Sequence, residues 1–151
     1  MPVLPLAWNP HDGAAALFAL GEALAPLSGD GVLVLGTGSI THNLRRVFSG
    51  GSLRPPSDVP EAADSAAFRG WWHERAVARD WPALLAWREQ APHALEMHPS
   101  DEHLLPWFIA AGAGGRDAAP VRLHDSVTYG VLGMDAYAFG PAAGRLTAVR
   151  P

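Results

Sequence analysis

The densest group of residues able to do chemistry lies in the second half of the chain. His98, Asp101, Glu102 and His103 fall within six residues. Imidazole and carboxylate groups bind zinc and non-haem iron, and they are also the common general acids and bases. His98 and His103 would not share one face of a helix, and the adjacent Glu102 and His103 point in different directions. At most one of that adjacent pair is therefore expected to bind a given ion. The alternative is simply a polar first turn of a helix.

A second candidate, His42, follows a short apolar segment and a glycine-containing turn. The pair Gly36-x-Gly38 lacks the third glycine of a dinucleotide fingerprint and the Gly-Lys-Ser/Thr of a P-loop. A tight turn that only glycine adopts is the simpler interpretation. His42 itself is either a metal ligand, a general base, or a capping or surface residue. The other histidines are interpreted as structural: His11, His73, His93 and His124.

A strand–helix–strand unit is predicted to position His42. Val3 to Trp8 reads as a strand near a sheet edge, because its prolines donate no hydrogen bond. Leucines at spacings of three and four predict a helix over Ala14 to Leu27. The apolar run Val32 to Leu35 predicts a strand buried on both faces, as in a parallel sheet. His42 would then follow the carboxyl end of a strand, where open α/β sheets bind ligands.

The rest of the chain is predicted to be mostly helical, within a single domain over residues 1–151. Helices are predicted over 61–79, 81–90 and 101–113, an irregular stretch over 91–100, and strands over 121–123 and 131–139. Ser100 is a plausible N-cap of the third of these helices, with Asp101 and Glu102 in its first turn. Pro106 would kink this helix or lie near its start.

Composition limits the classes of function. The chain has 151 residues, 48% of them hydrophobic, and no cysteine. Disorder is excluded, as are disulfide scaffolds, thiolate metal sites and cysteine nucleophiles. The net charge is −4 and no basic patch stands out, which argues against nucleic-acid binding. No apolar run is long enough to span a membrane, and residues 1–10 lack the charged start of a signal peptide, so the expected location is the cytoplasm.

Two motifs together resemble the class III extradiol ring-cleavage dioxygenases of the LigB-like superfamily, in particular the DOPA 4,5-dioxygenase type. The first motif is Gly-Thr-Gly-Ser-Ile-Thr-His42-Asn-Leu-Arg-Arg, and the second is Pro99-Ser-Asp-Glu-His103-Leu-Leu-Pro-Trp-Phe-Ile-Ala-Ala-Gly-Ala113. The segment from Gly130 to Phe139 also fits the family pattern. The resemblance implies an α/β fold, a three-layer α/β/α sandwich with a mixed, mostly parallel sheet.

The resemblance also implies a function. Such enzymes open a catechol ring beside its hydroxyl pair with O2, at a non-haem Fe(II) centre. His42 and His103 would line that centre, with His103 as a direct ligand and His42 as a further ligand or the acid/base. Glu102 is the substitute ligand if His103 only lines the pocket. Zinc is possible in place of iron, because imidazole binds both.

This chain resembles only the C-terminal half of such enzymes. Their other half supplies two further metal-binding histidines, for which the sequence offers no replacement. A partner chain or a second copy of this chain would then supply the missing half. Two alternatives remain: a non-catalytic or truncated domain that assembles with a partner, and a zinc-dependent hydrolase that uses an activated water.

Overall fold

The computed structural model describes residues 2–9, 11–51 and 55–148. Helices and two small sheets give these residues an α/β architecture in which helix predominates. The helices are α1 (Ala14–Leu24), α2 (Leu44–Phe48), α3 (Ala63–Ala78), α4 (Trp81–Leu85), α5 (Trp87–Gln90), α6 (Ala94–Met97) and α7 (Leu105–Gly114). The strands are β1 (Val121–His124), β2 (Val127–Thr128), β3 (Leu132–Gly133) and β4 (Ala136–Ala138), and 3₁₀ segments cover Ala25–Asp30 and Ala143–Ala148.

Helices α1 and α7 form the closest contact between elements, and glycine makes it possible. A Cβ on Gly21 would lie 2.2 Å from the carbonyl oxygen of Ile109, and a Cβ on Gly112 would lie 2.1 Å from that of Phe18. The two backbones therefore touch directly, at a distance that no larger residue permits. Leu17 and Phe18 are buried beside this crossing.

An aromatic core joins α3 to α7 and to the short helices between them. Trp72 is fully buried at its centre, with edge-on contacts to Trp87, Trp107 and Phe108 at centroid distances of 5.1–6.3 Å. Phe68, one turn earlier on α3, stacks on Trp72. Such pairs add to the burial of large apolar surfaces, and they make the core rigid where the site is anchored.

The predicted strands of the first third do not enter a sheet within the described residues. The described residues form two ladders near the end of the chain, and each is antiparallel and two-stranded. β1 pairs with β4, and β2 pairs with β3. Val3 to Trp8 has no ladder partner, and Val32 to Leu35 has none either. The prediction that Val32 to Leu35 is buried on both faces is wrong, because Leu33 and Leu35 are 77% and 76% exposed. The predicted strand 131–139 divides into β3 and β4.

Helix boundaries differ from the prediction mainly at α7. The backbone N–H groups of Leu104 and Leu105 both donate to the carbonyl oxygen of Asp101, so the chain turns there before the helix begins at Leu105. Ser100 is not the N-cap; its hydroxyl donates to the Glu102 carboxylate instead. Pro106 lies in the first turn, where its missing N–H costs no helical hydrogen bond. The helix predicted over 81–90 is broken at Ala86 into α4 and α5. No helix in the described part of the chain is long and apolar enough to cross a membrane.

A cluster of charged residues, here called the Arg69 cluster (Glu61, Arg69, Arg122, Asp125 and Asp135), ties α3 to the strands. The Arg69 guanidinium donates to both carboxylate oxygens of Asp135 at 2.7 and 2.9 Å and to both of Glu61 at 3.0 and 2.9 Å. It also donates to Asp125. Burial alone would lower the pKa of Arg69, but the hydrogen bonds to Asp135 and Glu61 raise it overall. The guanidinium therefore stays charged although its side chain is only 7% exposed.

Candidate functional site

The segment from Ser39 to His42 is joined by hydrogen bonds to the segment that carries His103. The Ser39 N–H donates to the carbonyl oxygen of His103 at 2.8 Å, and the His42 N–H donates to that of Met97 at 2.9 Å. On the other side, the Thr41 hydroxyl donates to the Val131 carbonyl at 2.8 Å and accepts the Gly133 N–H at 2.6 Å. Hydrogen bonds on both sides therefore fix the position of His42.

Gly36 and Gly38 are needed for a close approach to the start of α7. A Cβ on Gly38 would lie 2.0 Å from the carbonyl oxygen of His103, and one on Gly36 would lie 2.3 Å from that of Pro106. Neither glycine has the positive φ of a glycine turn. The Gly-x-Gly motif is thus a packing feature, and the tight-turn interpretation is wrong. The motif brings the segment that precedes His42 against the one that carries His103.

The rings of His42 and His103 lie face to face. Their centroids are 3.6 Å apart, with 29° between the ring planes. The His103 side chain is 43% exposed, and its Nε2 lies 3.7 Å from a carboxylate oxygen of Glu102. Two histidines that are 61 residues apart in the sequence thus stack on each other. The structure brings together the two site residues that the sequence predicted.

The electrostatics of the pair favour a neutral His42. Partial burial and the charge of the adjacent His103 hold the pKa of His42 below its usual value. Two stacked imidazolium rings would repel each other, so the pair is most stable with at least one ring neutral. A neutral imidazole nitrogen accepts a proton or binds a metal ion. A hydrogen bond from its own backbone N–H lowers the pKa of Glu102, which stays a carboxylate beside the pair.

His98 is fully buried behind the site, a role that sequence reasoning missed. Its Nε2 lies 2.7 Å from the carbonyl oxygen of Ile40, and its ring packs against Phe68 and Trp87. Nε2 must carry the hydrogen and donate it, because a carbonyl oxygen only accepts. The carbonyl of His98 in turn accepts a hydrogen bond from Arg88. His98 thus links the aromatic core to the segment that carries His42.

The burial of His98 predicts a pH-dependent stability. Burial lowers the pKa of His98 from 6.5 to about 4. Between these values the unfolded chain binds a proton that the folded chain rejects, so stability falls as the pH drops from about 6.5 to about 4, by about 3 kcal/mol in total. His98→Gln keeps a donor for Ile40 and does not titrate. The free energy of unfolding of this variant, measured by urea at neutral pH and at about pH 4.5, should decline less than that of the parent.

His124→Gln, at an exposed position, is the control for this experiment and should decline as the parent does. Equal declines for the parent and His98→Gln would contradict the buried, neutral state of His98.

The described residues do not by themselves form a complete metal centre. Among residues 2–9, 11–51 and 55–148, no group of three histidine or acidic residues is placed to hold a metal ion. The site offers two imidazoles and the Glu102 carboxylate at its edge. A stable three-ligand centre therefore does not fit the described residues alone.

Comparison with known proteins shows the family. Residues 1–140 match the family described as "Catalytic LigB subunit of aromatic ring-opening dioxygenase". The chain belongs to this LigB family.

Two curated relatives are plant enzymes. The chain is 32% identical over 139 residues to "4,5-DOPA dioxygenase extradiol" of Beta vulgaris, a match that covers 92% of this chain and 49% of that protein. The protein of the same name from Portulaca grandiflora is 31% identical over 145 residues, with the same coverage. The chain therefore spans about half the length of the curated relatives it matches.

One solved structure has a similar fold. The crystal structure of the uncharacterized protein JW3007 from Escherichia coli K12 superimposes with a TM-score of 0.68 at 22% identity. The match covers 85% of this chain and 51% of that one. In structure as in sequence, this chain corresponds to half of a larger relative.

Proposed function

We propose that this chain is the C-terminal half of an extradiol ring-cleaving dioxygenase domain, which opens a catechol-type ring with O2 at a non-haem Fe(II) centre. The observation that carries the proposal is the stacked pair of His42 and His103, brought together from two motifs of the LigB family. The names of the plant relatives supply the substrate class, an ortho-dihydroxylated aromatic ring.

The remaining metal donors would come from polypeptide outside these 151 residues. The described residues supply two imidazoles and one nearby carboxylate, but no three of their donors are placed to hold a single ion. The plant relatives contain about as much chain again outside the matched region. A partner chain carrying that half, or a second copy of this chain, would complete the site. The completed fold would be the three-layer sandwich with a mostly parallel sheet.

The two histidines would have different roles, one as metal ligand and one as base. His103, with 43% of its side chain exposed, is proposed as the metal ligand. His42 has a lowered pKa and is proposed to accept a proton from a catechol hydroxyl through a neutral ring nitrogen. Glu102 is the substitute donor if His103 only lines the pocket. Iron is proposed over zinc because of the dioxygenase names of the relatives, since imidazole binds both metals.

An anaerobic Fe(II) titration of the purified chain tests the proposal. The titration is made with the chain alone and with the chain co-expressed with the unmatched half of the Beta vulgaris relative. A catechol is then added, O2 is admitted, and the absorbance of the yellow ring-opened product is followed. Stoichiometric iron and product in the co-expressed sample support the proposal. Iron-free protein without product in both samples contradicts it.

Single substitutions separate the roles of the two histidines. In a sample that binds iron, His103→Ala should weaken metal binding by about 100-fold or more, because it removes a direct donor. His42→Ala should retain iron and lose turnover by about 100-fold or more, because it removes the base. Metal content and initial rate are the readouts, and His11→Ala, at an exposed histidine, is the control. Normal iron binding by His103→Ala would refute the ligand assignment.

A non-catalytic domain that assembles with a partner is the second candidate, and the incomplete donor set favours it. Its signature is a stable complex with the missing half that binds no iron and forms no product.

A further inference from the structure

Residues 33–38, here called the open strand, belong to no helix or ladder and carry no backbone hydrogen bond. The Val32 N–H donates to the carbonyl of Leu27, and the next backbone bond along the chain is that of Ser39 to His103. Within the described residues, the N–H and C=O groups between these two points have no protein partner. Backbone groups of this kind are normally paired in a sheet or satisfied by water. Both edges of this segment are therefore available to another strand.

The side chains of the open strand alternate as in a true β-strand. Val34 packs against the hydrophobic core, and Gly36 and Gly38 face the backbone at the start of α7. Leu33 and Leu35 point the other way and are 77% and 76% exposed. This period of two marks a strand with one face already covered by helix α7. The opposite face displays two leucines in a position typical of the interior of a layered fold.

An apolar groove runs beside the open strand, and His103 is among the residues that line it. Its volume is about 700 Å³. The open strand lines one side, β4 lines another, and Trp107 and Ala110 of α7 are also in its wall. β4 is paired on one edge only, with β1. His103 lines the same groove, so whatever fills the groove also reaches the candidate site.

We propose that the open strand is a strand-addition site for the half of the fold that lies outside these 151 residues. An extended, apolar segment of that half pairs with residues 33–38, and its side chains cover Leu33 and Leu35. The family match identifies this occupant, because the plant relatives and the Escherichia coli structure each contain about as much chain again as the part matched here. Main-chain hydrogen bonds supply affinity, and the leucine face supplies specificity.

The open strand and the groove support the pairing itself. That the docked segment also brings the missing metal donors rests on the proposed function. Because His103 lines the groove, a segment seated there enters beside the stacked histidines. The same docking event would thus complete the sheet and bring the missing donors to the metal site.

Co-expression with the unmatched half of the Beta vulgaris relative, as a separate tagged polypeptide, tests the pairing. We expect a 1:1 complex by size-exclusion chromatography with light scattering. Hydrogen exchange should show the amides of residues 33–38 to be rapidly exchanging in the free chain and protected in the complex. Leu35→Lys should weaken the complex by about 100-fold, because a charge would be buried at the interface. Leu95→Lys, on α6 outside the groove, is the matched control and should leave binding unchanged.

The outcomes separate this inference from the proposed function. A complex that protects residues 33–38 but binds no iron and forms no product supports the strand-addition site and refutes the dioxygenase function. If the chain stays monomeric in the presence of the other half, and residues 33–38 stay unprotected from hydrogen exchange, the strand-addition site is overturned. Equal binding by Leu35→Lys and the parent also overturns it. If the chain instead forms a homodimer that Leu35→Lys dissociates, the occupant is a second copy of this chain. That result would overturn the assignment of the site to the other half of the fold. Circular dichroism melts of both lysine variants should match the parent, because both leucines are exposed.

Discussion

Replacing Arg69 with leucine should lower the free energy of unfolding by about 3–5 kcal/mol. The guanidinium is nearly buried and donates hydrogen bonds to three carboxylates, of which Asp135 is fully buried. Without Arg69, Asp135 keeps only the hydrogen bond from Arg122, at 3.3 Å. A buried carboxylate that loses its main partner is far more costly than a lost surface ion pair. Urea unfolding at neutral pH measures the effect.

Arg46→Leu is the matched control. Arg46 forms a bidentate pair with Asp64, with oxygen–nitrogen distances of 2.6 and 3.3 Å, but the side chains are 35% and 27% exposed. Water screens this pair, so the substitution should cost about 1 kcal/mol or less. Equal losses for Arg46→Leu and Arg69→Leu would show that the Arg69 cluster contributes no more than a surface pair.

Gly38→Ala should destabilise the fold by about 3 kcal/mol or more, because the clash is with backbone and not with the far end of a flexible side chain. The new methyl group would lie 2.0 Å from the carbonyl oxygen of His103. Either the hydrogen bond from Ser39 to His103 breaks or the start of α7 moves, and both displace His103 from His42. Thermal unfolding measures the loss of stability, and nuclear Overhauser contacts between the two imidazoles report the ring stack.

Gly70→Ala supplies the contrast. Gly70 lies within α3, and a Cβ there would meet no atom within 4 Å. Alanine is the better helix former by about 1 kcal/mol, so this variant should be more stable than the parent. A Gly38→Ala protein as stable as the parent, with its imidazole contacts intact, would show that the close approach does not constrain the site.

The sequence predicted the long helices well, because their formation depends on local patterns. Leucine spacing predicted α1, which ends at Leu24, where the chain continues as a 3₁₀ segment beginning at Ala25. The predicted helix over 61–79 matches α3 within two residues at each end. The start of α7 was misplaced because Ser100 has the composition of an N-cap, whereas a turn at Asp101 and the proline at 106 set the true start.

Burial of the predicted strands in the first third could not be predicted, because it depends on which other parts of the fold pack against them. Val32 to Leu35 has the composition of a central strand, but an apolar sequence does not indicate which residues pack against it. The site shows the same limit. The two motifs indicated His42 and His103, but the anchoring role of His98 depends on a contact with Ile40, 58 residues away. The Arg69 cluster likewise joins residues that no short motif connects.

The crossing of α1 and α7 has a consequence for biosynthesis. α1 has only 11 residues, too few for a stable isolated helix, and its partner α7 follows roughly 90 residues later in the chain. At a synthesis rate of about 5–20 residues per second, roughly 5–18 s pass between the emergence of the two helices from the ribosome. During that interval Leu17 and Phe18 lack the part of their packing surface that α7 provides. Residues 14–24 are therefore expected to remain without a stable helix on the nascent chain until α7 has been made.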